Sequence, residues 1–122
     1  MAKRTYDCQY GCPVEATLDV IGGKWKGVIL FHLLDGSRRF SQLGRLLPDV
    51  TPRMLTLQLR ELEQDGVVQR TVYAEVPPRV EYALTPFGAS LRPVIMLMLE
   101  WGAQYMDMIK AQKARQAAVE HA

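Results

Sequence analysis

Apolar residues recur along this chain at two different spacings, and the change from one to the other divides it. From Pro13 to about Ile21, Val14, Leu18 and Ile21 fall on one face of a helix that Pro13 opens and Gly22-Gly23 interrupts. Lys24–Leu34 is apolar on most sides, through Trp25, Val28, Ile29, Phe31, Leu33 and Leu34, so it is expected to be the central core helix. His32 lies among these residues and is read as a packed or half-exposed histidine, not as a ligand or a base. Asp35-Gly36-Ser37 forms a turn and Arg38-Arg39-Phe40 a short extended piece. Ser41 is then placed to cap a brief helix, Gln42–Leu47, which Pro48-Asp49 ends.

The best-signalled element is Val50–Gly66. Thr51 can accept from the first free backbone N–H groups, and Pro52 suits the first helical position because no N–H is needed there. Val50 and Leu55 have the spacing of a hydrophobic staple, and Gly66 is placed to end the helix in a left-handed conformation. Leu55, Leu59 and Leu62 make a core-facing stripe at i, i+4 and i+7. The opposite side carries Arg53, Thr56, Leu57, Arg60 and Gln64, a mixed face of positive charge, hydroxyl and methyl groups suited to phosphates, base edges and thymine methyls.

After Gly66 the period shortens. Val67–Tyr73 is rich in β-branched residues, and Val80, Tyr82 and Leu84 alternate with Arg79, Glu81 and Ala83, so two strands are expected around a tip stiffened by Pro77-Pro78. Two helices joined by a tight connection, then a hairpin, make a winged helix-turn-helix. Thr85-Pro86 repeats the cap-plus-proline device and starts a last helix reaching Lys110 or beyond, with Pro93 kinking it or splitting off its first turn. Its apolar side chains, among them Val94, Ile95, Met98, Leu99, Trp101 and Tyr105, exceed what one small domain can cover, which predicts a homodimer built on this helix. Residues 111–122 are polar and rich in Ala and Gln, with little to hold their end in order. The expected class is α+β, mainly α, in three parts: an arm over 1–11, a DNA-binding domain over 12–84, and a dimerisation helix with its tail over 85–122.

Composition refines this picture modestly. The net charge of the 122 residues is only +2, but residues 1–60 hold nine Lys or Arg against five Asp or Glu, and residues 61–122 hold six against eight. The basic half contains the best-signalled helix, which fits an anionic partner. The apolar run at Val94–Leu99 is too short to span a bilayer, and the first residues lack a secretory segment, so the expected location is cytoplasmic. Cys8 and Cys12 are not expected to form a structural staple in that compartment, and with only His32 and His121 no metal site is expected. No nucleophile–base pair or phosphate loop is present to suggest an enzyme, nor a motif for a cofactor.

Taken in order, Cys12-Pro13-Val14-Glu15, Leu18-Asp19-Val20-Ile21-Gly22-Gly23-Lys24-Trp25, Arg39-Phe40, Leu59-Arg60-Glu61-Leu62-Glu63-Gln64-Asp65-Gly66-Val67-Val68, Pro77-Pro78-Arg79-Val80-Glu81-Tyr82 and Leu84-Thr85-Pro86-Phe87-Gly88 resemble the HxlR family of bacterial winged-helix regulators. The likeness runs from Cys12 to Trp101-Gly102. It implies a dimeric, MarR-like transcription factor on a pseudopalindromic operator, with double-stranded DNA as partner. In several members the cysteine just before the first helix, here Cys12, senses oxidants or reactive electrophiles. Two features depart from the family pattern: Leu57 stands where a polar residue is common, and Cys8 is an additional thiol.

On that reading Arg53, Thr56, Leu57 and Arg60 meet the groove, with Thr51 and Pro52 at the anion-favouring helix start. Lys24, Lys26, Arg38, Arg39, Ser41 and Gln42 lie at the starts of neighbouring helices, where DNA-backbone contacts arise, and Arg79 is placed on the wing. Cys12 occupies a cap position, where the partial positive charge of a helix end favours the nucleophilic thiolate. A disulfide from Cys12 to Cys8 or Cys12 of a partner is one possible outcome of oxidation. The rival reading is a winged-helix interaction module without DNA binding, which calls for a neutral or acidic outer face where this chain has Arg53 and Arg60.

Overall fold

The computed structural model describes residues 11–121, in the order α1 (Pro13–Ile21), α2 (Lys26–Leu33), β1 (Arg38–Arg39), α3 (Phe40–Leu46), α4 (Pro52–Gln64), β2 (Val68–Tyr73), β3 (Arg79–Leu84), α5 (Pro86–Ala89) and α6 (Arg92–Glu120). Cys8 lies outside the described residues. Two units can be distinguished, one ending at Arg92 and the other starting at Pro93.

In the first unit the core gathers around α2. Ile29, Leu30 and Leu33 are buried, together with Leu43 and Leu47 at α3, Leu55, Leu59 and Leu62 on α4, and Val67 and Val68 leading into the sheet. The all-apolar stretch thus does form the centre, although its helix starts at Lys26 and not at Lys24: Lys24 and Trp25 are in a turn. On α1 only Ile21 is buried. Val14 and Leu18 share its apolar face, yet they are 61% and 57% exposed.

The start of α3 corrects an expectation. The helix begins at Phe40, and the capping side chain is that of Gln42: the Arg39 backbone N–H donates to Gln42 Oε1 at 2.8 Å. Ser41 lies inside the first turn and does not cap it. α4 obeys its sequence signals at both ends. Met54 N–H donates to Thr51 Oγ1 at 3.1 Å, and Pro52 is the first helical residue. At the other end Gly66 has φ of 78°, Gly66 N–H reaches Glu63 O at 3.0 Å, and Val67 N–H reaches Leu62 O at 3.2 Å. These two bonds are a Schellman closure, and the buried Leu62 and Val67 supply its apolar contact.

β2 and β3 pair antiparallel, with Val68 opposite Leu84, Arg70 opposite Tyr82 and Tyr73 opposite Arg79. The extended Arg38–Arg39 adds a third strand on the other edge of β3, giving the order β1-β3-β2. The alternation of β3 does not reappear as a clean in–out burial pattern: Tyr82 is buried and the other residues of the strand are half-buried. The chain is therefore a winged helix-turn-helix. Thr85 fastens the sheet to α5: its hydroxyl donates to Gly66 O at 2.6 Å and accepts from Gly88 N–H at 2.9 Å, capping that short helix.

Pro93 is the second residue of α6, so the first turn splits off as α5, one of the two outcomes its position allowed. α6 has 29 residues and continues to Glu120, through a polar tail expected to have little order. Ala, Gln, Lys and Arg are all strong helix formers, and a helix of such residues propagates once begun. Within the second unit Leu97 is 64% exposed and Trp101 61%; with Val94 and Met98 they line a shallow apolar groove of about 510 Å3. Ile95 is the one buried residue of α6, at 3% exposure. Trp101 and Tyr105 pack ring to ring at 5.2 Å between centroids.

Candidate nucleic-acid interface

With the leucine stripe of α4 buried, the opposite face turns outward. Arg53, Leu57, Arg60 and Gln64 are exposed and Thr56 is half-buried. Among the described residues neither Arg53 nor Arg60 has an ion-pair partner. Thr56 is less available than its position suggests. Its hydroxyl donates to Pro52 O at 2.9 Å, so as it stands the oxygen faces solvent only as an acceptor. Thr51 and Pro52 are exposed at the start of the helix, where the Thr51 oxygen already holds the Met54 N–H.

Three of the cations read from sequence as contacts are already engaged within the chain. Lys26 Nζ lies 3.2 Å from Glu61 Oε1 with its side chain only 13% exposed, so it ties α2 to α4. Arg38 Nε donates to the His32 carbonyl at 2.6 Å. Arg79 sits between Glu75, at 3.3 Å, and Glu81, at 3.1 Å, with its guanidinium 4.0 Å from the Tyr73 ring centre. Its Nε is buried without a hydrogen-bond partner. The wing arginine is thus neutralised by its own hairpin. Lys24 is exposed, its ammonium 4.9 Å from the Trp25 ring centre, and Arg39 and Ser41 are exposed near the start of α3. Gln42 is exposed as well, but its carbonyl oxygen is occupied by the cap.

His32 is half-buried, as expected, and packs edge to face against Phe31. Burial, and secondarily the Arg38 charge, hold its imidazole below the usual histidine range. Sequence reasoning passed over Arg70 on β2. It is exposed and lines a polar cleft with Thr56, Arg60, Glu63 and Tyr82. In the strand register Arg70 falls on the same side as the buried Val68, two residues away.

Cys12 is half-exposed and takes the cap position of α1 with extended backbone (φ −155°, ψ 139°). Its carbonyl accepts from Glu15 N–H at 2.9 Å, but its side chain makes no capping hydrogen bond, so the sulfur is not committed to the helix end.

Comparison with known proteins gives a consistent picture. A family model described as HxlR-like helix-turn-helix matches residues 20–110. The HTH-type transcriptional regulator YdeP of Bacillus subtilis (strain 168) is 61% identical over 108 residues, which span 88% of this chain and 84% of that one. Among solved structures, the redox regulator HypR in its reduced form is 56% identical and superposes with a TM-score of 0.78 over 82% of this chain and 99% of that one. HypR in its oxidised form is 60% identical, with a TM-score of 0.74 over 76% and 96%.

Proposed function

Because the chain belongs to the HxlR-like helix-turn-helix family, whose members are transcriptional regulators and not an enzyme class, we propose that two copies bind a pseudopalindromic DNA operator, each laying α4 into a major groove. The observation that carries this reading is the outer face of α4, where Arg53 and Arg60 stand exposed without internal partners among the described residues, whereas Lys26 and Arg79 are paired with carboxylates. Arg53, beside the helix start, meets phosphate; Arg60 reaches phosphate or a guanine edge; Leu57, 45% exposed, favours a thymine methyl. Lys24, Arg39, Ser41 and Gln42 add backbone contacts. The rival interaction module would not need two unpaired arginines on this face.

Residues 12–84 serve as the DNA-binding domain and 85–122 as the dimerisation segment. The groove at Leu97 and Trp101 supports a homodimer, as do the exposed Val14 and Leu18 on α1. No helix among the described residues is long and apolar enough to cross a membrane, and a regulator that reads chromosomal DNA works in the cytoplasm. Arg53→Ala is expected to weaken operator binding about tenfold and to reduce the slope of log affinity against log salt by about 0.9 per bound protomer. Fluorescence anisotropy across a salt series reads both quantities. A slope equal to that of the parent chain removes Arg53 from the interface.

The second half of the reading is a switch at Cys12. An oxidant or electrophile reaching its uncommitted sulfur adds bulk or a covalent link at the junction of the N-terminal arm and α1. If α1 lies at the dimer contact, that change moves one α4 relative to the other. The likeness to HypR, a redox regulator, supports this. Diamide treatment is expected to change operator affinity of the parent chain at least several-fold and to leave Cys12→Ser unaffected. Mass spectrometry identifies the adduct or disulfide, and an identical response in Cys12→Ser rules the switch out.

A further inference from the structure

Between α4 and the hairpin lies a polar cleft of about 340 Å3, lined by Thr56, Arg60, Glu63, Arg70 and Tyr82. Thr56, Arg60 and Glu63 recur at i, i+4 and i+7 and so stand in one row along α4. Arg70 comes from the facing β2, where it pairs across the sheet with Tyr82, a residue only 8% exposed. Two guanidinium groups therefore border one small polar space. Among the described residues neither is engaged in an ion pair or a hydrogen bond, although the Glu63 carboxylate lines the same cleft. The contrast within this unit is sharp. Lys26, Arg38 and Arg79 are each tied to a carboxylate or a carbonyl, whereas this pair leaves a net positive charge uncommitted. The cleft thus sets two positive charges against the one carboxylate of Glu63, and an anion seated between the arginines offsets their mutual repulsion.

We propose that this cleft seats one phosphate of the DNA backbone, gripped from the helix side by Arg60 and from the wing side by Arg70. The inference rests on the reading that α4 enters the major groove. Two of the lining residues, Thr56 and Arg60, belong also to the outer face of α4, so a duplex lying against that face brings its backbone to the mouth of the cleft. A planar guanidinium matches the paired oxygens of a phosphodiester, and two from different elements fix its position as well as its charge. Thr56 adds no donor while its hydroxyl is bound to Pro52 O. Glu63 opposes the anion, so the seat needs both arginines. Arg70 thereby links the register of the wing to the recognition helix, a role that Arg79, held by Glu75 and Glu81, does not fill.

The test uses the full chain and a labelled duplex that the parent protein selects from a random pool, with anisotropy read across a salt series. Arg70→Gln is expected to raise Kd about tenfold at low salt and to reduce the salt slope by about 0.9 per bound protomer, uniformly across sequences. Arg70→Lys is expected to recover most of the slope without the full affinity, and Glu63→Gln to bind more tightly than the parent. A thermal midpoint equal to the parent's establishes that Arg70→Gln remains folded. The second arm titrates inorganic phosphate without DNA and monitors the Arg70 side chain by NMR. Phosphate that perturbs Arg70 while the DNA slope is insensitive to Arg70→Gln marks a free-anion site and overturns the proposal. An unchanged slope with no phosphate effect overturns it too. A parent chain that selects no duplex overturns the DNA reading itself, and the seat with it; normal selection with an unaltered Arg70→Gln slope overturns the seat alone.

Discussion

A chain carrying Leu97→Glu and Trp101→Glu is expected to sediment as a monomer and to bind the operator about 10²–10⁴-fold more weakly than the parent. Both side chains lie on the apolar groove of α6 and are mostly exposed in the single chain, so the substitutions do not open a core. In a dimer they would be buried, each contributing about 1.5–3 kcal/mol of apolar transfer per protomer. A carboxylate in the same place would have to be desolvated without a partner, which outweighs that gain. The loss on DNA follows from linkage: with two joined recognition helices the second half-site is bound at high effective concentration, and a monomer forfeits that advantage. Analytical ultracentrifugation reads the mass and anisotropy the affinity. Circular dichroism should show helix content close to the parent's. A parent protein that is itself monomeric at micromolar concentration removes the dimer from the account.

The second large effect concerns the joint between wing and C-terminal segment. A Cβ at Gly88 would lie 1.9 Å from the Val67 carbonyl oxygen and 2.8 Å from its carbon, both backbone atoms that cannot rotate away. Gly88→Ala must therefore push α5 off the strand, disturbing the Gly88 N–H bond to Thr85 and with it the Thr85 link to Gly66 O. Overpacking of this kind costs about 3 kcal/mol, a fall in Tm of roughly 10–20 °C for a unit this size. Gly44 is the internal control. Nothing lies within 4 Å of a Cβ built there, in the middle of α3, so Gly44→Ala is expected to be neutral or stabilising by about 0.5–1 kcal/mol. Similar thermal midpoints for the two variants would contradict the assigned close approach.

The range of each interaction decides how legible it is in the sequence. α4 was legible from Thr51-Pro52 to Gly66 because its cap, its staple and its closing turn are all made by residues within a few positions of one another. The α5 break was legible for the same reason, through Thr85-Pro86 and Pro93. The fate of the cations was not. Lys26 finds Glu61 thirty-five positions away, and Arg38 turns back to a backbone carbonyl, which no charge pattern reveals. Arg79 looked like a free wing contact because its neutralising carboxylates, Glu75 and Glu81, lie across a turn and along the same strand, and their geometry depends on the hairpin. Arg70 went unnoticed because the blunt alternation of Val67–Tyr73 left no side to assign it to. Ser41 was the expected cap, and a two-residue shift in where α3 begins leaves it inside the first turn and gives the capping bond to Gln42. On α6 the abundance of apolar residues could not separate the buried Ile95 from the exposed Leu97.

Two α4 helices reading one duplex together is the claim on which the function rests above all. Hydroxyl-radical footprinting of the parent chain on the DNA it selects examines this directly. The predicted result is protection on one face of the duplex over two inverted half-sites whose centres lie about 10 bp, roughly 34 Å, apart. Protection of a single asymmetric site, or a pool in which no sequence is enriched, would contradict it.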